Sequence, residues 1–144
     1  MEGLLHILII ESRFYDEIAD ELVAGATQYL QEEKVIIEKI SVPGAFEIPA
    51  AISFAIDSGR YDGYVALGCV IRGETSHYDY VCGESARGLN QIAIDKKVAI
   101  GNGILTTENK KQALKRARVS EGNKGAKAAE ACISMIKLKS KLVI

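Results

Sequence analysis

The sequence predicts an α/β domain, a three-layer α/β/α sandwich around a central four-stranded parallel sheet, and two observations predict it. Apolar runs of strand length alternate along the whole chain with stretches whose apolar residues recur every third or fourth position. The runs are nearly continuous rather than alternating with polar residues, the pattern of strands covered on both faces. At 144 residues the chain fits a single domain, residues 1–144, and a domain of this size buries roughly 70% of the surface its unfolded form exposes.

The first run, Leu4 to Ile10, is too short to span a membrane and is followed at once by Glu11 and Arg13. Without a basic leader or a small-residue cleavage site it reads as a strand rather than a signal peptide, and His6 within it is a core or edge residue. Ile18, Leu22, Ala26 and Leu30, with Ala19 and Val23 beside them, make one face of a first helix. Val35 to Val42 is the second run, interrupted by Glu38 and Lys39. After Pro43-Gly44, a second helix repeats the spacing at Ile48, Ile52, Ala55 and Ile56, with Pro49 in its first turn, where a missing N–H does no damage, and Gly59 at its end.

Gly63 to Val70 is the third run, and it empties into Ile71-Arg72-Gly73-Glu74-Thr75-Ser76-His77. A third helix carrying Val81, Ser85, Leu89 and Ile92 follows, entered through Thr75 or Ser76 as N-cap. Val98 to Leu105 is the last run. Beyond it lie a short helix over residues 109–118 with Ala113, Leu114 and Ala117 inward, a turn from Ser120 to Gly125, and a final helix with Ala128, Cys132, Met135 and Ile136 on one side. No internal repeat, low-complexity stretch or linker interrupts the pattern.

Four such strands joined by right-handed crossovers give the flavodoxin-like type of sandwich. Ligands in such folds bind at the carboxyl ends of the strands, which singles out residues 11–15, 43–47, 71–77 and 101–107. The net charge of −1 and pI near 6.1 lack the basic footprint of nucleic-acid binding. Lys and Arg crowd between Lys110 and Lys141, mostly as solvated helix faces. Cys69, Cys82 and Cys132 are odd in number, widely spaced and without a C-x-x-C pair, so they support neither a disulfide framework nor a zinc site; reduced thiols in a cytoplasmic protein are expected.

The loop before the third helix sets Arg72, Gly73, Thr75 and Ser76 beside His77, a set that can hold an anion and move a proton. A lone histidine near a helix start is ordinarily a surface or capping group; those neighbours raise His77 above that reading. Phe14, just past the first strand, can stack on a planar heterocycle or staple its own helix, and both readings stay open. Glu47, at a helix start, can favour the dipole by about 0.3–1 kcal/mol or accept bonds from polyol hydroxyls.

Val42-Pro43-Gly44-Ala45-Phe46-Glu47-Ile48-Pro49, the stretch Leu67-Gly68-Cys69-Val70-Ile71-Arg72-Gly73-Glu74-Thr75-Ser76-His77-Tyr78, and Gly122-Asn123-Lys124-Gly125 closely resemble the lumazine synthase family of riboflavin biosynthesis. The likeness runs in order from Ser12-Arg13-Phe14 to the last helix. It implies condensation of 5-amino-6-ribitylaminouracil with 3,4-dihydroxy-2-butanone 4-phosphate to 6,7-dimethyl-8-ribityllumazine, with no metal and no organic cofactor. On this chain, the resemblance has Phe14 stack on the pyrimidine, Ala45, Phe46 and Glu47 border the ribityl chain, and Val70 and Ile71 shape the floor. It sets Gly73, Glu74 and Thr75 by the phosphate and makes His77 the proton shuttle. A neighbouring subunit would add Asn102, Lys124 and Arg116, the last as the phosphate clamp.

The resemblance also implies a cyclic homopentamer with its active site between subunits, in some members built up into a shell of twelve pentamers. Because almost nothing precedes the first strand here, a free pentamer is expected. Departures from the family pattern are Tyr15 where many members have Asn, Asn102 where many have an aromatic that covers the bound ring, and Lys115 where some have an acid. A non-catalytic flavin- or lumazine-binding protein on the same scaffold is the alternative, but it has no need for His77 and Arg116 together. A signalling receiver domain would need an acidic cluster after the first strand, where Glu11 stands alone, and a flavodoxin proper would need a Ser/Thr-rich phosphate loop there.

Overall fold

The computed structural model describes residues 3–143. Its elements in chain order are β1 (His6–Ser12), α1 (Asp16–Glu32), β2 (Ile36–Val42), a 3-10 turn (Ala45–Glu47), α2 (Ile48–Ile56), β3 (Gly63–Ile71), α3 (His77–Lys96), β4 (Ala99–Thr107), α4 (Lys110–Ala117) and α5 (Lys124–Leu142). The four strands pair in parallel in the order β2-β1-β3-β4, the expected sheet.

Strand alternation sorts the core into two layers. Ile7 and Ile9 of β1 point to one side with Val65 and Leu67 of β3, against Ile18, Leu22, Ala26 and Leu30 of α1 and Ala129, Cys132 and Ile133 of α5. Leu8 and Ile10 point to the other side with Tyr64 and Ala66, against Ile48 and Ile52 of α2 and Val81 and Leu89 of α3. Two helical layers on one sheet are the predicted sandwich.

Burial on both faces holds for the central strands and fails at the edges. Every residue from Gly63 to Cys69 in β3 is buried, whereas Ile36 and Ile40 of β2 are exposed. In β4, buried Ala99, Gly101, Gly103, Leu105 and Thr107 alternate with more open residues between them. An edge strand has one partner and reaches past the helices that cover the centre. Glu38 and Lys39, which interrupt the second run, accordingly turn outward to make ion pairs, Glu38 with Arg60 (2.9 Å) and Lys39 with Glu11 (3.3 Å).

The helical stripes match closely, with one correction. In α5 the buried residues are Gly125, Ala128, Ala129, Cys132 and Ile133, while Met135 is 48% exposed. At about 100° per residue the stripe centres on positions 125, 129, 132 and 136, with Ala128 and Ile133 at its two edges and Met135 just past Ala128, about a quarter-turn from the centre. α4 is capped by Asn109, whose Oδ1 accepts the Gln112 N–H (2.9 Å), while Gln112 Oε1 accepts the Glu108 N–H (2.8 Å), a reciprocal arrangement of the capping-box kind.

Candidate active site

At the carboxyl end of β1, Glu11 is 1% exposed and fully engaged. Its Oε1 accepts from Arg13 Nη1 (2.7 Å), and its Oε2 accepts from Ser41 Oγ (2.8 Å) with Lys39 Nζ at 3.3 Å. A buried carboxylate is tolerated only with such partners, and these lock the ends of β1 and β2 together. Phe14 follows and is 73% exposed, its ring edge-on to that of Tyr15 with centroids 5.0 Å apart. So exposed a ring does not staple its own helix.

Phe14 and Tyr15 form one wall of a cavity of about 550 Å³. Pro43, Gly44, Ala45, Phe46 and Glu47 form the second wall, Cys69, Val70 and Ile71 the floor, and His77, Tyr80 and Val81 the third wall. The fold thus gathers Phe14, Ala45, Phe46, Glu47, Val70, Ile71 and His77 at the predicted sheet end. The lining is mainly apolar and aromatic, with Glu47 and His77 as its ionisable edge, suited to a flat heterocycle with a polar tail. Cys69 belongs to the floor, and burial there pushes its thiol up to about 11.

Gly73, Glu74 and Thr75 do not border this cavity; they lie in the exposed loop between Ile71 and His77, which do. Ser76 is the N-cap residue of α3 but makes no capping bond with its side chain; Thr75 Oγ1 instead accepts the His77 N–H (3.2 Å) just ahead of the helix. Arg72 is not an anion ligand in this arrangement. Its Nε donates to Glu108 (2.9 Å), its Nη1 lies 3.6 Å from Asp79, and its guanidinium sits 4.3 Å from the Tyr78 ring centroid. With the Arg72 N–H donating to the Thr107 carbonyl (2.9 Å), it fastens the end of β3 to the end of β4. Sequence reading missed Tyr80 as a wall and took Val81 for core alone; both stand one helical turn beyond His77, a spacing that could have revealed them.

Asn102, Arg116 and Lys124 are elsewhere. They line a second hollow of about 330 Å³, with Gly103, Ile104, Leu105 and Thr106 of β4, Lys127, Ala128 and Ala131 of α5. No residue is common to the two linings. Asn102 Oδ1 accepts the Ile104 N–H (2.9 Å) along the open edge of β4.

Arg116 is held from behind: Nη1 donates to the Gln112 carbonyl (3.1 Å), and the Gly122 N–H donates to the Lys115 carbonyl (2.9 Å). A Cβ on Gly122 would stand 2.7 Å from the Arg116 carbonyl oxygen, so only glycine lets the turn close against α4. Asn123 then takes a left-handed conformation (φ 48°, ψ 48°), which asparagine tolerates better than most residues. α5 starts at Lys124, two residues earlier than the expected turn from Ser120 to Gly125 allows. Gly125 packs so closely on Leu22 of α1 that a Cβ would strike the Leu22 carbonyl. Together these contacts set the Asn123–Lys124 corner beside Arg116.

The 6,7-dimethyl-8-ribityllumazine synthase family model matches residues 4–140. The chain is 55% identical over 133 residues to a 6,7-dimethyl-8-ribityllumazine synthase of Methylobacterium radiotolerans, covering 92% of this chain and 81% of that one. It is 56% identical over 138 residues to the enzyme of that name from Bartonella bacilliformis, covering 94% and 91%. It is 52% identical over 143 residues to 6,7-dimethyl-8-ribityllumazine synthase 1 of Rhizobium meliloti, covering 96% and 94%.

Proposed function

The chain belongs to the 6,7-dimethyl-8-ribityllumazine synthase family, and on that basis we propose which side chains act at each half of its site. The enzyme condenses 5-amino-6-ribitylaminouracil with 3,4-dihydroxy-2-butanone 4-phosphate, yielding 6,7-dimethyl-8-ribityllumazine, phosphate and water in riboflavin biosynthesis. The observation that carries the assignment is the separation of the halves: Phe14 and His77 line one cavity, Arg116 and Lys124 another, with no residue shared. One subunit presents its aromatic cavity to the cationic hollow of the next. A cyclic homopentamer in the cytoplasm is the assembly we propose, five copies of the 15.6 kDa chain giving about 78 kDa.

In this site Phe14 stacks on the pyrimidine ring, while Glu47, with Ala45 and Phe46, accepts the ribityl hydroxyls. Val70 and Ile71 support the ring from below. Gly73, Glu74 and Thr75, with the start of α3, lie along the ketose phosphate, whose charge suits a helix N-terminus. From the neighbour, Arg116 clamps the phosphate and assists its departure, a charge-assisted contact; Asn102 and Lys124 complete the wall. The amine attacks the ketone to form an imine, phosphate leaves, and the ribitylamino nitrogen closes the second ring. Each step moves a proton, and His77 carries it, since an imidazole both donates and accepts near neutral pH.

Following lumazine formation optically with both substrates tests the activity, and no product above the uncatalysed background would refute it. Light scattering tests the assembly: a particle near 78 kDa is expected, and a megadalton particle would replace the free pentamer with a shell. Mixing tests the shared site. An assembly of His77→Ala and Arg116→Ala subunits should regain activity, because about a quarter of randomly formed interfaces then pair two unaltered halves; no gain over either variant alone would place both residues in one subunit's site.

A further inference from the structure

The cationic hollow holds one charged residue that the family resemblance did not assign. Lys127 lines it together with Arg116 and Lys124. Lys124 and Lys127 are three apart on α5, hence on one helix face, and both stand in its first turn, which has no acidic residue. Cations are disfavoured there, because the helix dipole already places positive charge at that end. Among the described residues neither lysine has a carboxylate within 4.0 Å, nor has Arg116, the one arginine of the chain without such a partner; several surface lysines are also unpaired, but only here do three such cations line one hollow. Glu121, close by in sequence, is held by Arg118 (3.1 Å) instead. Three uncompensated charges around one hollow at a helix N-terminus form an arrangement that the chain alone does not stabilise and that an anion would.

We propose that Lys127 is a specificity-determining residue of this site, a second lysine that binds the phosphate dianion of the ketose substrate alongside Arg116. This rests on the assignment of Arg116 as phosphate clamp. Lys127 adds charge rather than geometry: a flexible ammonium with three donors follows the phosphate as it leaves, whereas the guanidinium fixes its position. Its contribution therefore appears in affinity for the phosphate-bearing substrate and leaves the pyrimidine untouched.

The test is steady-state kinetics in both substrates for Lys127→Ala, Lys127→Glu and Lys127→Arg, with Lys141→Ala at the far end of α5 as control. For Lys127→Ala, KM for the ketose phosphate should rise roughly three- to tenfold, while kcat and KM for the pyrimidine stay within about twofold. Lys127→Glu should raise it further, Lys127→Arg should restore it, and Lys141→Ala should change nothing. An unchanged KM for the phosphate substrate, or an equal rise in both KM values, overturns the proposal. A rise only in the inhibition constant of orthophosphate also overturns it, since the residue would then serve the released product. Failure of the underlying assignment reads differently: Arg116→Ala would then spare the phosphate substrate in an otherwise unaltered enzyme.

Discussion

The two hollows that gather the expected site residues are built from opposite materials. The cavity beside β1 and β3 is aromatic and apolar, with one carboxylate, Glu47, and one imidazole, His77, in its lining. The hollow beside β4 and α5 is rimmed by Arg116, Lys124 and Lys127. The first suits a planar ring and the second an anion. The same contrast separates two arginines that look alike in sequence. Arg72 sits in the loop that resembles an anion site, yet its guanidinium is taken by Glu108, Asp79 and Tyr78; Arg116 sits among solvated lysines, yet it keeps a guanidinium edge free for a ligand, held from behind by the Gln112 carbonyl.

Substitutions should divide along that line. The largest effect is expected for Arg116→Ala, a loss of roughly a hundredfold in kcat/KM for the ketose phosphate, in keeping with a charged hydrogen bond of about 1.5–3 kcal/mol. The pyrimidine KM should stay within about twofold, and equal weakening of both substrates would remove Arg116 from the clamp. His77→Ala should slow turnover by about ten- to a hundredfold without abolishing it, because much of the rate comes from holding two substrates together. Complete loss in an intact assembly would contradict that division.

Phe14→Ala should raise the pyrimidine KM by about tenfold or less, the worth of one stacked aromatic, and leave the phosphate substrate alone; the reverse pattern would exchange the roles of the two hollows. Arg72→Ala should raise the phosphate KM by no more than about threefold, since its exposed ion pairs contribute little. A loss matching that of Arg116→Ala would restore the loop arginine as a ligand. The smallest effect is expected at Cys69. With its thiol pushed up to about 11, the thiolate is scarce at pH 8 and becomes abundant only as pH rises through that value. Alkylation measured by mass spectrometry should be slow at pH 8, and Cys69→Ser should keep most of the turnover; rapid alkylation with loss of activity would give the cavity floor a chemical role.

Much of the candidate site was legible without coordinates because the parallel-sheet rule directs attention to strand ends: Phe14, Glu47 and His77 each follow a strand, and Ile71 ends one. Pairing was not legible. Whether Arg72 meets a ligand or Glu108 depends on a carboxylate 36 residues away, and no local pattern encodes that distance. Tyr80 joined the site because a helix of known period starts at His77, a consequence available from sequence but hidden by reading Val81 as core. Met135 and Ile133 exchanged places for a related reason: alanines and glycine define the buried stripe of α5, and small residues leave a weak hydrophobic signal.

By itself, the sequence determined the sheet, the helices and the identity of the chemical groups at the strand ends, because apolar periodicity follows from burying one helix stripe or both strand faces. Only the tertiary structure decided which charges neutralise one another and which stand without an acidic partner. That choice rests on distances of a few ångströms between residues far apart in the chain, where Coulomb attraction and hydrogen-bond geometry act, and it left Arg116, Lys124 and Lys127 in one hollow and His77 in another.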